Sequence, residues 1–342
     1  MGIRYLIIML TTRCNLRCSY CYNADNGPPM DMSAAVLRRA LDLGAAGGVP
    51  FHLQLTGGEP TLAPELIETA LSMARDNASC RGVGVQTNAT CLTPHLIDLV
   101  RCHRVQVGGS LDGPPDIQER QRGMAAETLR GLKRLEAGGI PFRVTAVVTQ
   151  AAAALDRLVL MLAGFSMARG IGLDLLVNKG RARDSGHVAA ADPKSLQNGL
   201  GRMHAALQMV NEHRSPPMRW REWDLVFPPD GQVARHTAFC RAALNQSVAV
   251  TPDGRLFPCG QTCHDERFAA GTVWTPEIER RRRLPACRPP QAPCGDCEAS
   301  AACPGDCPSR LFHNPYPQSR LACHMYRALY RMGNPNQGGI QS

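Results

Sequence analysis

No stretch of the 342-residue chain is apolar for long enough to span a bilayer. Only Arg4 precedes the short apolar run Tyr5-Leu6-Ile7-Ile8-Met9-Leu10, and no small-residue cleavage site follows it. The run is therefore expected to be a strand rather than a secretory signal. Internal repeats are lacking too. Acidic residues are outnumbered, 29 against 38 Lys and Arg, for a formal charge of +9. A surplus of that sign suggests nucleic acid. Here the arginines are scattered, and the one tight run, Arg280-Arg281-Arg282-Arg283, has no aromatic residues interleaved. It reads as a solvated face, or as charge that attracts an acidic partner or the anionic groups of a cofactor. Neither a nucleic acid nor a membrane is expected as a partner.

The next absence is a gap. No cysteine occurs between residues 103 and 239, although the chain has 15. In a chain without a secretory signal the expected location is the reducing cytoplasm, where clustered cysteines point to metal rather than to disulfides. Three lie before residue 22 and nine fall between 240 and 323. Cys80, Cys91 and Cys102 stand alone and are expected to pack in the core. The first group is Cys14-Asn15-Leu16-Arg17-Cys18-Ser19-Tyr20-Cys21, directly after the first apolar run. Iron–sulfur cubanes are usually held by four thiolates. Three thiolates on one loop leave one iron free to bind something else. A zinc knuckle is the alternative reading of these residues alone.

Short apolar strands are predicted at 4–10, 51–55, 83–87, 104–110, 142–148 and 172–177, alternating with helices at 33–46, 64–78, 93–101, 124–138, 153–169 and 194–213. Asp31 and Ser33 suit a helix cap, Pro64 and Pro94 suit first turns, and Gly138-Gly139 and Gly170 suit helix ends. Six strand–helix repeats imply an α/β fold with a parallel sheet, curved or doubly wound. In a parallel barrel the working residues gather on the loops after the strands. After residue 214 the texture changes, with Ser215-Pro216-Pro217 and Pro228-Pro229-Asp230-Gly231 interrupting the pattern. Strand-like pieces Ser247-Val248-Ala249-Val250 and Arg255-Leu256-Phe257 flank a turn at Pro252-Asp253-Gly254. From Pro285 to Pro308 the chain is rich in Pro, Gly and Cys, and metal ligation would supply what the core does not. The domains are expected at 1–214 and 215–333, with 334–342 as a flexible tail.

Several loops join the cysteine loop on the same expected face. Thr56-Gly57-Gly58-Glu59-Pro60 has two glycines for close backbone approach and one acceptor suited to an amino group. Ser110-Leu111-Asp112-Gly113-Pro114 offers short polar groups, and Arg122 can pair with a carboxylate in a bidentate fork. Gln86-Thr87-Asn88 and residues 178–181 complete the rim. In the tail, Cys240 is followed by thirteen residues, Gly254, four residues and Cys259, then by Cys294-x2-Cys297-x5-Cys303-x3-Cys307 and later by Cys323. Seven ligands plus one further group make two four-ligand sites, iron–sulfur or all-cysteine zinc.

Together these motifs resemble a radical S-adenosylmethionine enzyme with a SPASM domain, over nearly the whole chain. The resemblance implies a partial (β/α)6 TIM-like barrel followed by a small cysteine-rich α+β SPASM domain. It implies three 4Fe-4S clusters and S-adenosyl-L-methionine as cofactors. Cys14, Cys18 and Cys21 match the ligands of the cluster that chelates S-adenosylmethionine. Tyr20 matches the aromatic position near the adenine. Gly57, Gly58, Glu59 and Pro60 match the segment that receives the methionine amino group, and Ser110, Asp112 and Arg122 match positions near the ribose and carboxylate. Cys240, Cys259 and Cys307 match ligands of a first auxiliary cluster. Cys294, Cys297, Cys303 and Cys323 match those of a second. The chain departs from fully ligated relatives, because no further cysteine lies shortly before Cys240. The first auxiliary cluster then has an open iron, or takes Cys263, Cys287 or His236.

The activity implied is reductive cleavage of S-adenosylmethionine to a 5′-deoxyadenosyl radical that abstracts a substrate hydrogen, with an auxiliary cluster as a sensible acceptor for the remaining electron. The leading substrate is a ribosomal peptide or a protein side chain, either crosslinked or oxidised. An open auxiliary iron would favour thioether chemistry by binding a substrate thiolate. Cys307-Pro308-Ser309-Arg310 is similar to peptide-maturing members. The chain starts almost at its first strand, so leader recognition is expected from the barrel, the 179–193 loop or a separate protein. A flavodoxin or ferredoxin-type donor would supply the electron. Two alternatives stand beside this reading: dehydrogenation of a small molecule such as an amino sugar, and a non-catalytic zinc or iron–sulfur scaffold. No acid–base residue stands out from the sequence, although Asp174, His187 and His236 are candidates.

Overall fold

The computed structural model describes residues 2–24, 27–184, 186, 188–229, 240–279, 284, 287, 294–317 and 320–335. Its first two thirds alternate strand and helix. The strands are β1 (Tyr5–Met9), β2 (Phe51–Thr56), β3 (Cys80–Thr87), β4 (Gln106–Ser110), β5 (Phe142–Val148) and β6 (Ala168–Leu175). The helices are α1 (Ala34–Ala45), α2 (Pro64–Arg75), α3 (Pro94–Cys102), α4 (Pro115–Gln121), α5 (Ala125–Ala137), α6 (Leu155–Ala163), α7 (Arg181–Asp184) and α8 (Pro193–Glu212). Then follow β7 (Arg219–Trp220), α9 (Arg221–Val226), β8 (Ser247–Val250), β9 (Leu256–Phe257), α10 (Pro308–His313) and α11 (Leu321–Gly333).

The sheet order is β7-β6-β5-β4-β3-β2-β1-β8-β9. Neighbours from β7 through β8 pair in parallel, and β9 turns back antiparallel on β8. The sheet is open: β1 pairs with β8 rather than with β6, as a partial barrel requires. The sheet also runs straight across the residue-215 boundary expected from the sequence.

Alternation explains the layers. In Phe51-His52-Leu53-Gln54-Leu55-Thr56 every second residue is buried, because successive side chains point to opposite faces. Phe51, Leu53 and Leu55 join the main core with Leu37, Leu41, Ile67 and Leu71 of the covering helices. His52 and Gln54 lie on the other face, where Tyr5 stacks on His52 and its hydroxyl donates to Gln54. That face of β1 also carries Met9, which packs with Ala249, Phe257, Cys263 and Phe268 of the tail.

Local signals worked where a cap or turn fixed the backbone. The Ser33 hydroxyl accepts from the Val36 amide at the start of α1, and Pro64 and Pro94 open α2 and α3. Gly254, at φ +83°, turns β8 into β9. Three expectations are corrected. The helix predicted over 153–169 stops at Ala163 with Gly164 as its cap, and β6 begins at Ala168, so Gly170 lies inside a strand. A short helix, α4, follows Pro114, where Pro115 pre-sets the first-turn angle. Cys102 is exposed rather than in the core, because the buried stripe of α3 is Leu96, Ile97 and Val100. Cys80 does pack against the core. The four-arginine run, His187 and His236 lie outside the described residues.

Leu53 is fully buried at the centre of the sheet, whereas Leu160 on α6 is 48% exposed. Leu53→Ala is expected to lower the unfolding free energy by about 2–5 kcal/mol, while Leu160→Ala stays within about 0.5 kcal/mol of the parent. Urea unfolding followed by circular dichroism checks both.

Candidate active site and cysteine clusters

The cysteine loop follows β1 and is clamped by the loops after four other strands. From β2, the Gly58 amide donates to the Thr11 carbonyl at 2.7 Å and the Glu59 amide to the Arg13 carbonyl at 2.8 Å. A Cβ on Gly58 would stand 2.2 Å from the Arg13 carbonyl oxygen. The glycine is needed because the two backbones touch. From β3, the Asn88 side chain donates to Asn15 at 2.9 Å, and Asn15 donates to Thr90 at 2.8 Å. At the end of α4, after β4, the Gln121 carbonyl accepts from the Ser19 amide at 2.8 Å. From β6, the Arg181 amide donates to the Cys21 carbonyl at 3.1 Å.

Two buried carboxylates anchor these clamps. Glu59 is 1% exposed. Its Oε1 accepts from the Thr61 amide and from the hydroxyls of Thr61 and Thr87, and its Oε2 accepts from the Asn88 amide at 2.6 Å. Burial pushes the Glu59 carboxyl up, and these donors pull it back toward the ionised form. Asp112 accepts from the Tyr20 hydroxyl, from Gln121 at 3.2 Å, from the Val147 amide at 2.9 Å, and from Arg122 through two bonds of 3.0 Å. Burial alone would pull Arg122 down. The Asp112 carboxylate outweighs it and holds the guanidinium above its ordinary pKa. Arg122 also lies over the Tyr20 ring, 5.2 Å from its centroid.

The residues matched to adenosyl contacts thus divide. Tyr20, Asp112 and Arg122 are bound to one another. Glu59 ties the β2 and β3 loops together, and Pro60 is buried in a 3₁₀ turn, Pro60–Leu62. Gly57 and Gly58 pack on the cysteine loop. Ser110 is half-buried and accepts from Gln86 at 3.1 Å. The fork of Arg122, read from the sequence as a carboxylate receptor, already holds a carboxylate of the chain itself. The polar line Tyr5, His52 and Gln54, on the face with Gln86 and Ser110, was missed. Its signal is the strict alternation of β2. Asp174 is ion-paired with Arg221 at 2.7 Å and is not poised as a free base.

The tail meets this face. The Lys179 ammonium, on the loop after β6, donates to the Gln261 and Cys263 carbonyls at 2.8 and 2.7 Å. The Asn314 side chain donates to the Leu176 carbonyl and accepts from the Asn178 amide, both at 2.9 Å. The Tyr22 hydroxyl lies 3.9 Å from where a Cβ on Gly260 would stand, beside Cys259. Lys179 lies in the 178–181 segment read from the sequence as part of the rim, whereas Asn314 was not singled out, since its bonds bridge segments more than 130 residues apart.

None of the fifteen cysteines forms a disulfide. Among the described residues no three His, Cys, Asp or Glu side chains form a single-ion site. Cys294, Cys297, Cys303 and Cys323, by contrast, line one cavity together with Ala299 and Tyr326. Cys240, Cys259 and Cys307 lie within electrostatic reach of one another. Backbone amides point at sulfur: Leu16 to Cys14 and Gly305 to Cys303, both at 3.4 Å. A walled thiol set with amide donors suits an iron–sulfur cluster. Burial pushes Cys14 and Cys240 up to about 11, so ligation must displace their protons. Arg310 is buried beside Cys323 and pairs with Asp306, one residue before Cys307.

Three thiols on the loop after the first strand of an open parallel sheet, closed in by loops from its neighbours, define the architecture of radical S-adenosylmethionine proteins. A family model of the radical SAM superfamily matches residues 8–150, and the chain belongs to that superfamily. It is 32% identical over 209 residues to an uncharacterized protein of Methanocaldococcus jannaschii, covering 59% of this chain and 72% of that one. It is 26% identical to an AdoMet-dependent heme synthase of Methanosarcina barkeri, over 89% of this chain and 90% of the other. It is also 26% identical to a serine-type anaerobic sulfatase-maturating enzyme of Klebsiella aerogenes, over 92% and 81%. Among solved structures, native anSMEcpe with bound AdoMet shares the fold at a TM-score of 0.76, with 18% identity and 97% of each chain covered. Streptococcus suis SuiB bound to S-adenosylmethionine shares it at 0.66, with 15% identity over 93% of this chain and 76% of that one.

Asp112→Ala leaves the buried Arg122 charge without its partner. It is expected to cost about 3–5 kcal/mol and to loosen Ser19 to Cys21. Thermal unfolding checks the first effect. Faster labelling of Cys18 by a thiol reagent in the metal-free protein, located by peptide mapping, checks the second.

Proposed function

We propose that the chain is a radical S-adenosylmethionine oxidoreductase of the SPASM type that oxidatively modifies a peptide or protein side chain in the cytoplasm. The observation that carries the reading is the division of thiols into three sets: the β1 loop, the Cys240, Cys259 and Cys307 group, and the walled cavity of Cys294, Cys297, Cys303 and Cys323. Each set would hold one 4Fe-4S cluster. When bound, the first cluster and S-adenosylmethionine supply a 5′-deoxyadenosyl radical that removes a substrate hydrogen.

The chain's own residues position and shield that chemistry. Cys14, Cys18 and Cys21 hold the cluster, and the Asp112–Arg122–Tyr20 group fixes the loop that carries them. Gly57 and Gly58 keep that loop close to the end of β2. Ser110 and Gln86 offer hydrogen bonds to a ribose or a substrate head group. Tyr22, Lys179 and Asn314 close the face against the tail and exclude water. Arg17 and Arg120 are exposed on a cleft lined also by Ser19 and Arg122, a surface suited to an acidic flavodoxin or ferredoxin-type donor. A separate leader-recognition protein would present the peptide.

The sulfatase-maturating relative, the PqqA peptide cyclase of Ruegeria pomeroyi, and the SuiB structure bound to precursor peptide SuiA support a peptide substrate. The heme synthase relative supports a second reading, oxidation of a small molecule.

Anaerobic reconstitution is expected to give about twelve iron atoms per chain; zinc alone would end the enzyme reading. Cys18→Ala is expected to abolish S-adenosylmethionine cleavage, and cleavage at the parental rate would refute the cluster assignment. With reductant, S-adenosylmethionine and peptides encoded beside the gene, mass spectrometry is expected to find a product lighter by two hydrogens. Turnover of a small molecule with no peptide product favours the second reading.

A further inference from the structure

The first auxiliary site has three matched cysteines and no cysteine shortly before Cys240. We propose that Cys287 is its fourth thiolate, so that the site is closed by cysteine alone and has no iron open to substrate. The proposal rests on the auxiliary-cluster reading above and concerns how this chain completes it.

Cys263 is the nearer candidate along the chain and lies within electrostatic reach of Cys259, but its thiol is turned into the core. It is fully buried, and its thiol donates to the Cys259 carbonyl at 3.5 Å. Met9, Ala249, Phe257 and Phe268 surround it in an apolar cluster. It behaves as a core residue.

Cys287 is held against the segment that leads to Cys307. Its carbonyl accepts from the Asp306 amide at 2.6 Å. Gly305 has φ +85°, and a Cβ there would stand 2.9 Å from the Cys287 Cβ and 2.5 Å from its carbonyl oxygen. Cys287 and Gly305 are thus pressed together, and only glycine fits at 305. Gly305 stands between Cys303 and Cys307, so the contact places Cys287 where the two assigned sets meet. Its electrostatic reach to Cys240 ties it to the first set. Cys240 and Cys307 are in turn within reach of each other and of Cys259.

Four cysteines saturate a cubane. A closed site cannot bind a substrate thiolate through iron. Its role is to carry electrons, and a substrate thiol, if there is one, reacts without being held by this cluster.

The test uses the full chain with Cys14, Cys18 and Cys21 replaced by Ala, which removes the cluster that is open by design. After anaerobic reconstitution this background is expected to hold about eight irons and to give no three-iron electron paramagnetic resonance signal on mild ferricyanide oxidation. Adding Cys287→Ala is expected to produce that signal or to remove about four irons. Adding Cys287→Ser, which keeps an oxygen ligand, is expected to retain the iron while changing the spectrum, separating ligation from folding. Adding Cys263→Ala is expected to change neither. A three-iron signal in the background itself, an unchanged Cys287→Ala spectrum, or the signal from Cys263→Ala overturns the assignment while leaving two auxiliary clusters standing. A background with about four irons or none overturns the two-cluster reading and this inference with it.

Discussion

The protein depends on holding residues 11–21 still. A loop that presents three thiols cannot stabilise itself, because its polar backbone has no regular partner. Here the partners come from the ends of β2, β3 and β6 and from α4 after β4. Glu59 and Asp112 make those partners rigid. Each is a buried carboxylate saturated by donors from separate segments, so moving one segment leaves charge or donors unpaired. Such groups are costly to break rather than cheap to make. They turn a set of loops into one rigid rim.

The tail is tied to the same rim by other means. Its hairpin extends the sheet beside β1, its apolar residues cover Met9, and Lys179 and Asn314 stitch it to the loop after β6. Among the described residues of the cysteine-rich stretch beyond, the buried Asp306–Arg310 pair supplies a tie, and under the proposed cluster assignment thiol ligation would add to it.

Much of this was legible in the sequence. The order of six strands follows from local pattern and spacing, and so does the position of the Cys14, Cys18 and Cys21 loop directly after the first of them. The parallel pairing of β8 with β1 was not legible, since it joins residues more than 200 apart. The role of Asp112 was read as contact with a ligand, because its partner Arg122 is ten residues away and nothing in the spacing shows that the two face each other. Gly57 and Gly58 were read as room for close approach to a ligand, and nothing in the spacing shows that a Cβ on either would also meet the Thr11 or Arg13 carbonyl of the cysteine loop. The β6 boundary failed because Gly170, a helix stop by type, instead lies close to β7, with a built Cβ 2.9 Å from the Arg219 carbonyl.

The pairing of β1 with β8 also sets an order of events during synthesis. β1 is made first, yet its outer edge has no neighbour until residues 247–250 emerge. At about 5–20 residues per second, that edge waits on the order of ten seconds or more while the intervening segment is made. An uncovered strand edge is a template for wrong pairing, and Ile7 and Met9 are exposed with it. The nascent chain is therefore most vulnerable to wrong pairing between the emergence of β1 and that of residues 247–250, so a pause within that interval prolongs the exposure and a pause after it does not.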